Sequence, residues 1–210
     1  MFDSQKKDCK LPYLKVIILN KHNDMRKIIL DLAVSLDGFI EGPNREVDWM
    51  IFDDENGEEL VSFTDEIDTV LYGRTSYERF GNYVPSQASS LFEKQFYDKV
   101  NSMRKIVFSR SEGNLGGNPE VVRNNVKKNV IELKSTQGKN IWLFGGSGLI
   151  TSMLNLRLVD EIRIGINPII LGGGIPLFKE IQRRLPLHLT KSKQYRSGLV
   201  GLYYEVDNQI

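Results

Sequence analysis

Apolar and polar positions alternate along the chain in a way that divides it into short buried strands and amphipathic helices. Arg26-Lys27 leads into Ile28-Ile29-Leu30-Asp31-Leu32-Ala33-Val34-Ser35, an aliphatic run that predicts a strong strand. Asp37-Gly38 turns the chain, Phe39-Ile40 resumes it, and Gly42-Pro43-Asn44 breaks it. Asp48-Trp49-Met50-Ile51 reads as a loop or a helix start. Leu60, Phe63 and Ile67 fall at spacings of three and four and predict a helix over 55–67. A strand at Thr69-Val70-Leu71-Tyr72 then stops at Gly73-Arg74-Thr75, where another helix begins.

The same hand-off recurs downstream. An amphipathic helix over 91–103 precedes a strand over 105–108, which ends at Ser109-Arg110-Ser111. Val121-Val122 is a short extended piece, and a helix is expected over 125–133. Ile141-Trp142-Leu143-Phe144 is a buried strand that breaks at Gly145-Gly146-Ser147-Gly148, with Leu149, Ile150, Met153 and Leu154 on one face of the helix that follows. Ile162-Arg163-Ile164-Gly165-Ile166 alternates as a strand, and Gly172-Gly173-Gly174 forms a second glycine-rich loop, read as a tight or flexible turn. Closing strands are expected over 185–190 and 195–206. Strand–helix repeats finished by antiparallel strands predict an α/β fold, with a central mixed, mostly parallel sheet flanked by helices. Residues 1–24 carry Lys6, Lys7, Lys10, Lys15 and Lys21 with little periodicity. They read as an N-terminal extension before a domain over 25–210, the alternative being an edge strand over 13–19.

Composition narrows the partners. The chain has 210 residues with a formal net charge of +1, which gives no broad pull toward nucleic acid or an anionic membrane. Any anion site must be local. Cys9 stands alone, and His22 and His188 are far apart, so neither a disulfide framework nor a transition-metal site is expected. No apolar run approaches the ~18 residues of a membrane-spanning helix, and Val16-Ile17-Ile18-Leu19 is too brief for a secretion signal. A cytoplasmic location is the expectation.

A strand that turns through glycines into a helix brings bare N–H groups to the positive end of the helix dipole, a setting for phosphate. A turn that needs glycine only for its backbone angles is the other reading of Gly145 to Gly148. Gly73-Arg74-Thr75, Ser109-Arg110 and the glycine loop each end a strand, and in an open α/β sheet such ends share one crevice. Two guanidinium groups, several hydroxyls and a helix N-terminus suit a dinucleotide with an extra 2′-phosphate, and no acidic residue stands where a ribose 2′-hydroxyl would need one. NADPH is therefore favoured over NADH.

Ala33-Val34-Ser35-Leu36-Asp37-Gly38, Asp48-Trp49, Leu71-Tyr72-Gly73-Arg74-Thr75 and Phe144-Gly145-Gly146-Ser147-Gly148 occur in an order that resembles the dihydrofolate-reductase-like superfamily. Val159-Asp160-Glu161 and Pro168-Ile169-Ile170-Leu171-Gly172 resemble one branch of it, the reductase domain of the bifunctional riboflavin-biosynthesis deaminase/reductase and its stand-alone relatives. The resemblance spans roughly 26–206 and implies a three-layer fold, bound NADPH and a homodimer. By position it implies that Gly73, Arg74, Thr75, Ser109 and Arg110 hold the adenosine-side phosphates. Gly145, Gly146, Ser147, Gly148 and Leu149 would receive the pyrophosphate, Ala33 and Val34 would present backbone to the nicotinamide, and Trp49 would wall the substrate site. Reduction of a C=O or C=N also needs a proton, for which Asp37 and Asp48 are the candidates. Their structural alternatives are a turn residue and a helix cap.

Two departures shape the substrate expectation. Folate reductases carry an acid on the helix beside the pterin, a region that here holds Glu55, Glu58 and Glu59. Riboflavin-pathway reductases, which act on 5-amino-6-(5-phosphoribosylamino)uracil, carry an acid just before the glycine loop, where this chain has Phe144. The expectation is a reductase for a small carbonyl, imine or pterin-like compound. The alternative is a non-catalytic NADP(H)-binding or regulatory protein on the same fold.

Overall fold

The computed structural model describes residues 25–208, so the expected extension over 1–24 lies outside the described residues. The elements run β1 (Ile28–Ser35), β2 (Phe39–Glu41), α1 (Asp54–Thr64), β3 (Ile67–Gly73), α2 (Arg74–Phe80), α3 (Leu91–Ser102), β4 (Arg104–Phe108) and β5 (Glu120–Val122). They continue as α4 (Val126–Lys134), β6 (Asn140–Gly145), α5 (Ser147–Asn155), β7 (Glu161–Asn167), β8 (Ile175–Pro176), β9 (Leu187–Gln194) and β10 (Val200–Val206).

Eight strands form one sheet in the order β5-β4-β3-β6-β1-β7-β10-β9, and β2 pairs with β8 in a separate ribbon. The strands from β5 to β7 are parallel, while β10 runs antiparallel to both β7 and β9. Period-two alternation sends successive side chains to opposite faces. Ile28 and Leu30 enter a core with Leu143, Val130 of α4, and Ile150 and Met153 of α5. Ile29 and Trp142 enter the opposite core with Phe63 of α1, Tyr77 of α2 and Phe96 of α3. The sheet is thus the middle of three layers. Each fully buried aliphatic side chain contributes about 1.5–3 kcal/mol.

Buried charges tie the amino ends of the strands together, on the edge away from the glycine loop. Arg26 is nearly inaccessible and bonds Asp68, the Thr69 hydroxyl and the Lys139 carbonyl. Lys134 meets Asp160 at 2.6 Å, and the same carboxylate accepts the Ile28 N–H at 2.7 Å.

Several boundaries differ from expectation, among them the strand expected over 185–190, which runs Leu187–Gln194. The helix expected to reach Ile67 stops at Thr64, because Asp65 and Glu66 donate their N–H groups back to Ser62 and Phe63 in a tightened last turn. Ile67 is then free to start β3. The closing strand expected from Tyr195 begins only at Val200. Tyr195 and Leu199 close a turn at 2.9 Å, with Gly198 at φ +87, a left-handed angle that favours glycine.

Candidate active site

The parallel run β4-β3-β6-β1 sets the sites expected from sequence along one edge. Ser109 and Arg110 follow β4, Gly73 ends β3, Gly145 ends β6, and Ala33 and Val34 lie near the end of β1. A Cβ on Gly73 would stand 3.4 Å from the Gly146 nitrogen and 3.8 Å from Leu149 Cβ, so the two glycine turns touch. Gly145 has φ +129, and the Gly145–Gly146 peptide is cis. Gly146 caps α5 with no side-chain bond, which leaves the first N–H groups of that helix to an outside acceptor. Arg74 pairs with Glu78 at 2.8 Å and reaches the Ser111 and Glu112 carbonyls. Ser109 Oγ and Arg123 also donate to the Ser111 carbonyl, while Arg110 and Thr75 are exposed. Val34 and Leu149 pack their side chains into the α4/α5 core, and the Leu149 N–H is already donated to the Gly146 carbonyl at 2.9 Å, which leaves Ser147 and Gly148 as the open donors of this turn.

A cavity of about 580 Å³ opens from this edge along the face of the sheet beneath α1. Register explains its shape. Ala33, Gly165 and Gly201 are partners across β1, β7 and β10, so one row of the sheet has almost no side chains. The next row is polar: Asp31 opposes Arg163, Arg163 opposes Tyr203, and Tyr203 opposes Lys191. Aromatic rings of Phe52, Phe63, Phe80, Phe96, Trp142 and Phe144 make the remaining walls.

The electrostatics are uneven. Burial pushes the Asp31 carboxyl up to about 7, against the pull of Arg163 and with help from Glu59 and Glu66. Among the described residues its carboxyl makes no hydrogen bond. Burial would also raise Glu59, but hydrogen bonds from Lys191, Lys193, Tyr195 and Tyr203 outweigh it and hold Glu59 well below the usual carboxylate range. Those bonds join α1 to β9, β10 and the turn between them. The two tyrosines are raised by burial and by their bonds to Glu59.

The expected proton donors lie elsewhere. The Asp37 carboxylate accepts from Ser35 Oγ at 2.7 Å and from the N–H groups of Leu171 and Gly172 at 3.1 and 2.8 Å. These bonds outweigh desolvation and hold it below its ordinary value, fastening the β1–β2 turn to the second glycine loop. Asp48 is exposed, and the cap of α1 is instead Asp53, which accepts the Asn56 N–H at 2.9 Å. Neither Asp37 nor Asp48 lines the cavity. Trp49 does not either: its indole donates to the Glu46 carbonyl at 3.2 Å, while its neighbours Met50, Ile51 and Phe52 form the wall. Asp31, Asn56, Arg163 and Tyr203 were not singled out from sequence. An aspartate inside an aliphatic strand was the available signal.

Among the described residues no cluster of His, Cys, Asp or Glu suits a metal ion, and no helix is long and apolar enough to cross a membrane. The chain belongs to the RibD C-terminal domain family, which it matches over residues 26–201. The uncharacterised protein YyaP of Bacillus subtilis (strain 168) is 44% identical over 179 residues, covering 85% of this chain and 94% of YyaP. Among solved structures, a protein of Shewanella sp. PV-4 named for riboflavin biosynthesis superposes with a TM-score of 0.70 at 22% identity, covering 86% of this chain and 99% of its own. Dihydrofolate reductase from Enterococcus faecalis, complexed with NADP(H), superposes at 0.59 with 13% identity, covering 86% and 96%. The fold is the dihydrofolate-reductase-like α/β fold with a mixed, mostly parallel sheet.

Proposed function

We propose that this protein is an NADPH-dependent reductase acting on a small carbonyl, imine or pterin-like compound. One observation carries the reading: Ala33, Gly145 and Gly146 belong both to the strand-end edge and to the cavity wall, so a cofactor on that edge would meet a substrate in the cavity. The edge fits a dinucleotide. Its glycines leave backbone open where a Cβ would intrude, the uncapped end of α5 suits a pyrophosphate, and Arg74 with Arg110 suits a 2′-phosphate. NADPH supplies the hydride when bound.

The chain's own residues would position and protonate. Ala33 and Gly165 keep the sheet surface flat where the two reactants meet. The aromatic walls exclude water, which strengthens every charge interaction inside. Asp31 retains a proton near neutrality and is the acid on the cavity wall, so we assign it the proton donor's role in place of Asp37 or Asp48. The family resemblance extends the proposal to a homodimer; the edge strand β9 supports it by exposing Leu187 and Leu189.

The test is NADPH oxidation followed across a panel of carbonyls, imines and pterins. Steady, substrate-dependent consumption is expected. NADPH binding without consumption across the whole panel would favour the non-catalytic nucleotide-binding alternative.

A further inference from the structure

Arg163 of β7 pairs directly with Asp31 of β1 in the sheet, yet its guanidinium is held elsewhere. Neighbouring strands lie about 4.8 Å apart, so an arginine reaches the carboxylate of its ladder partner without any move of the backbone. Arg163 Nη2 instead lies 3.0 Å from Glu66 Oε2 and 3.0 Å from Glu161 Oε2, and Nη1 lies 3.4 Å from Glu66 Oε1. The guanidinium carbon sits 5.1 Å from the centre of the Phe63 ring, within range of a cation–π contact.

Each holder is itself fixed. Glu66 belongs to the turn after α1, where its N–H bonds the Phe63 carbonyl at 3.0 Å and its own carbonyl accepts the Asn140 N–H at 3.0 Å. Glu161 opens β7 and also binds Lys27 at 2.6 Å. Two carboxylates and a ring face hold a guanidinium more firmly than one carboxyl that keeps its proton. Around Asp31, Glu59 and Glu66 act as like charges and favour its protonated form, and Arg163 acts as an opposite charge. The same cavity holds Tyr203 of β10, Lys191 of β9, engaged by Glu59 at 2.7 Å, and Glu41 of β2, engaged by Arg79 at 2.9 Å. Arg163 is therefore the cation placed to pair with Asp31 on release.

We infer that Glu66 and Glu161 are positioning residues: they park Arg163 on the Phe63 ring and keep it off Asp31, so that Asp31 holds a proton to give to the substrate. An Arg163–Asp31 ion pair would fix the carboxylate form. Hydride addition to a C=O or C=N carbon would then leave the oxygen or nitrogen without that proton. The purpose of the arrangement rests on the reductase reading, while the placement of Arg163 does not.

The experiment follows the Asp31 carboxyl carbon by NMR across pH in the full chain carrying isotope-labelled aspartate, its signal assigned by its loss in Asp31→Asn. Glu66→Gln keeps both backbone bonds of the turn and removes one holder. The Asp31 midpoint is expected to fall from about 7 by about one pH unit or more. Loss of a like charge alone would also lower it, so the same substitution is made on Arg163→Met, where the fall should shrink to less than about half. Arg163→Gln serves if the methionine variant fails to fold. With the compound turned over fastest in the carbonyl, imine and pterin panel, kcat of Glu66→Gln should drop about fivefold at pH 7 and recover below about pH 5, which a merely structural loss would not do. An unchanged midpoint in Glu66→Gln, or an equal fall on the Arg163→Met background, would overturn the inference. The expected midpoints without NADPH-dependent turnover in the wild type would sink the reductase reading alone. Wild-type turnover with an unmoved midpoint in Glu66→Gln would sink this inference alone.

Discussion

Asp31 and Arg163 are direct partners across the β1–β7 ladder, yet no hydrogen bond or ion pair joins them. Arg163 turns instead to Glu66 and Glu161 and lies 5.1 Å from the centre of the Phe63 ring. Asp31 is left facing the cavity, with Arg163 lowering its pKa and Glu59 and Glu66 raising it.

A pH dependence follows from that arrangement. The folded value of Asp31, about 7, lies above its ordinary 3.8, so its contribution to stability is fully present below the ordinary value and is lost as pH rises through about 7. Asp31→Asn is neutral throughout and should gain stability over the wild type on going from about pH 5 to about pH 8, by roughly 2–3 kcal/mol. Thermal melts across that range check it. Wild-type turnover should fall over the same range, as pH rises past about 7 and Asp31 loses its proton, while in the variant it is low and flat.

The bare row offers a steric test. Gly165 has room for a Cβ, which would meet only Leu199 at 3.8 Å, so Gly165→Val should fold. Its methyl groups would project into the cavity beside Ala33. Substrate kcat/KM should drop by roughly a hundredfold, while the NADPH dissociation constant stays within about twofold. Steady-state kinetics paired with cofactor titration separate the two effects.

The Glu59 cluster sets the position of α1 over the sheet. Glu59→Leu leaves Lys191, Lys193, Tyr195 and Tyr203 without their shared acceptor, and should cost about 2 kcal/mol after allowing for the exposure of the lysines. Because Glu59 is held below its ordinary value, the wild-type advantage should be present above the ordinary carboxylate range and fade as pH falls through and below it. Denaturant titrations at neutral and acid pH check both statements.

Much of this architecture was legible in local pattern. The aliphatic run of β1, the strand-to-glycine-to-helix hand-off at Gly73 and Gly145, and the alternation in β7 each follow from short-range rules, and the parallel order then gathers their ends on one edge. The cavity was not legible, because it is a product of register. Ala33, Gly165 and Gly201 become one bare row only when three distant segments align, and nothing in any one segment marks it. Asp31 was hidden by the strength of the strand around it. Asp37 and Asp48 stood out in sequence because they sit in irregular stretches, and there Asp37 does structural work while Asp48 meets solvent. Trp49 stands outside the cavity lining for a related reason: its indole bonds the loop that presents Met50 to Phe52.

NADPH is proposed to bind the edge formed by Gly73, Arg74, Ser109, Arg110 and the Gly145–Gly148 loop. The direct test is a fluorescence titration of the wild type and of Arg74→Ala/Arg110→Ala with NADPH and NADH side by side. The wild type should prefer NADPH by about tenfold or more, and the double variant should lose most of that preference while binding NADH nearly as before. Binding of neither cofactor by the wild type, or equal loss of both in the variant, would contradict the assignment.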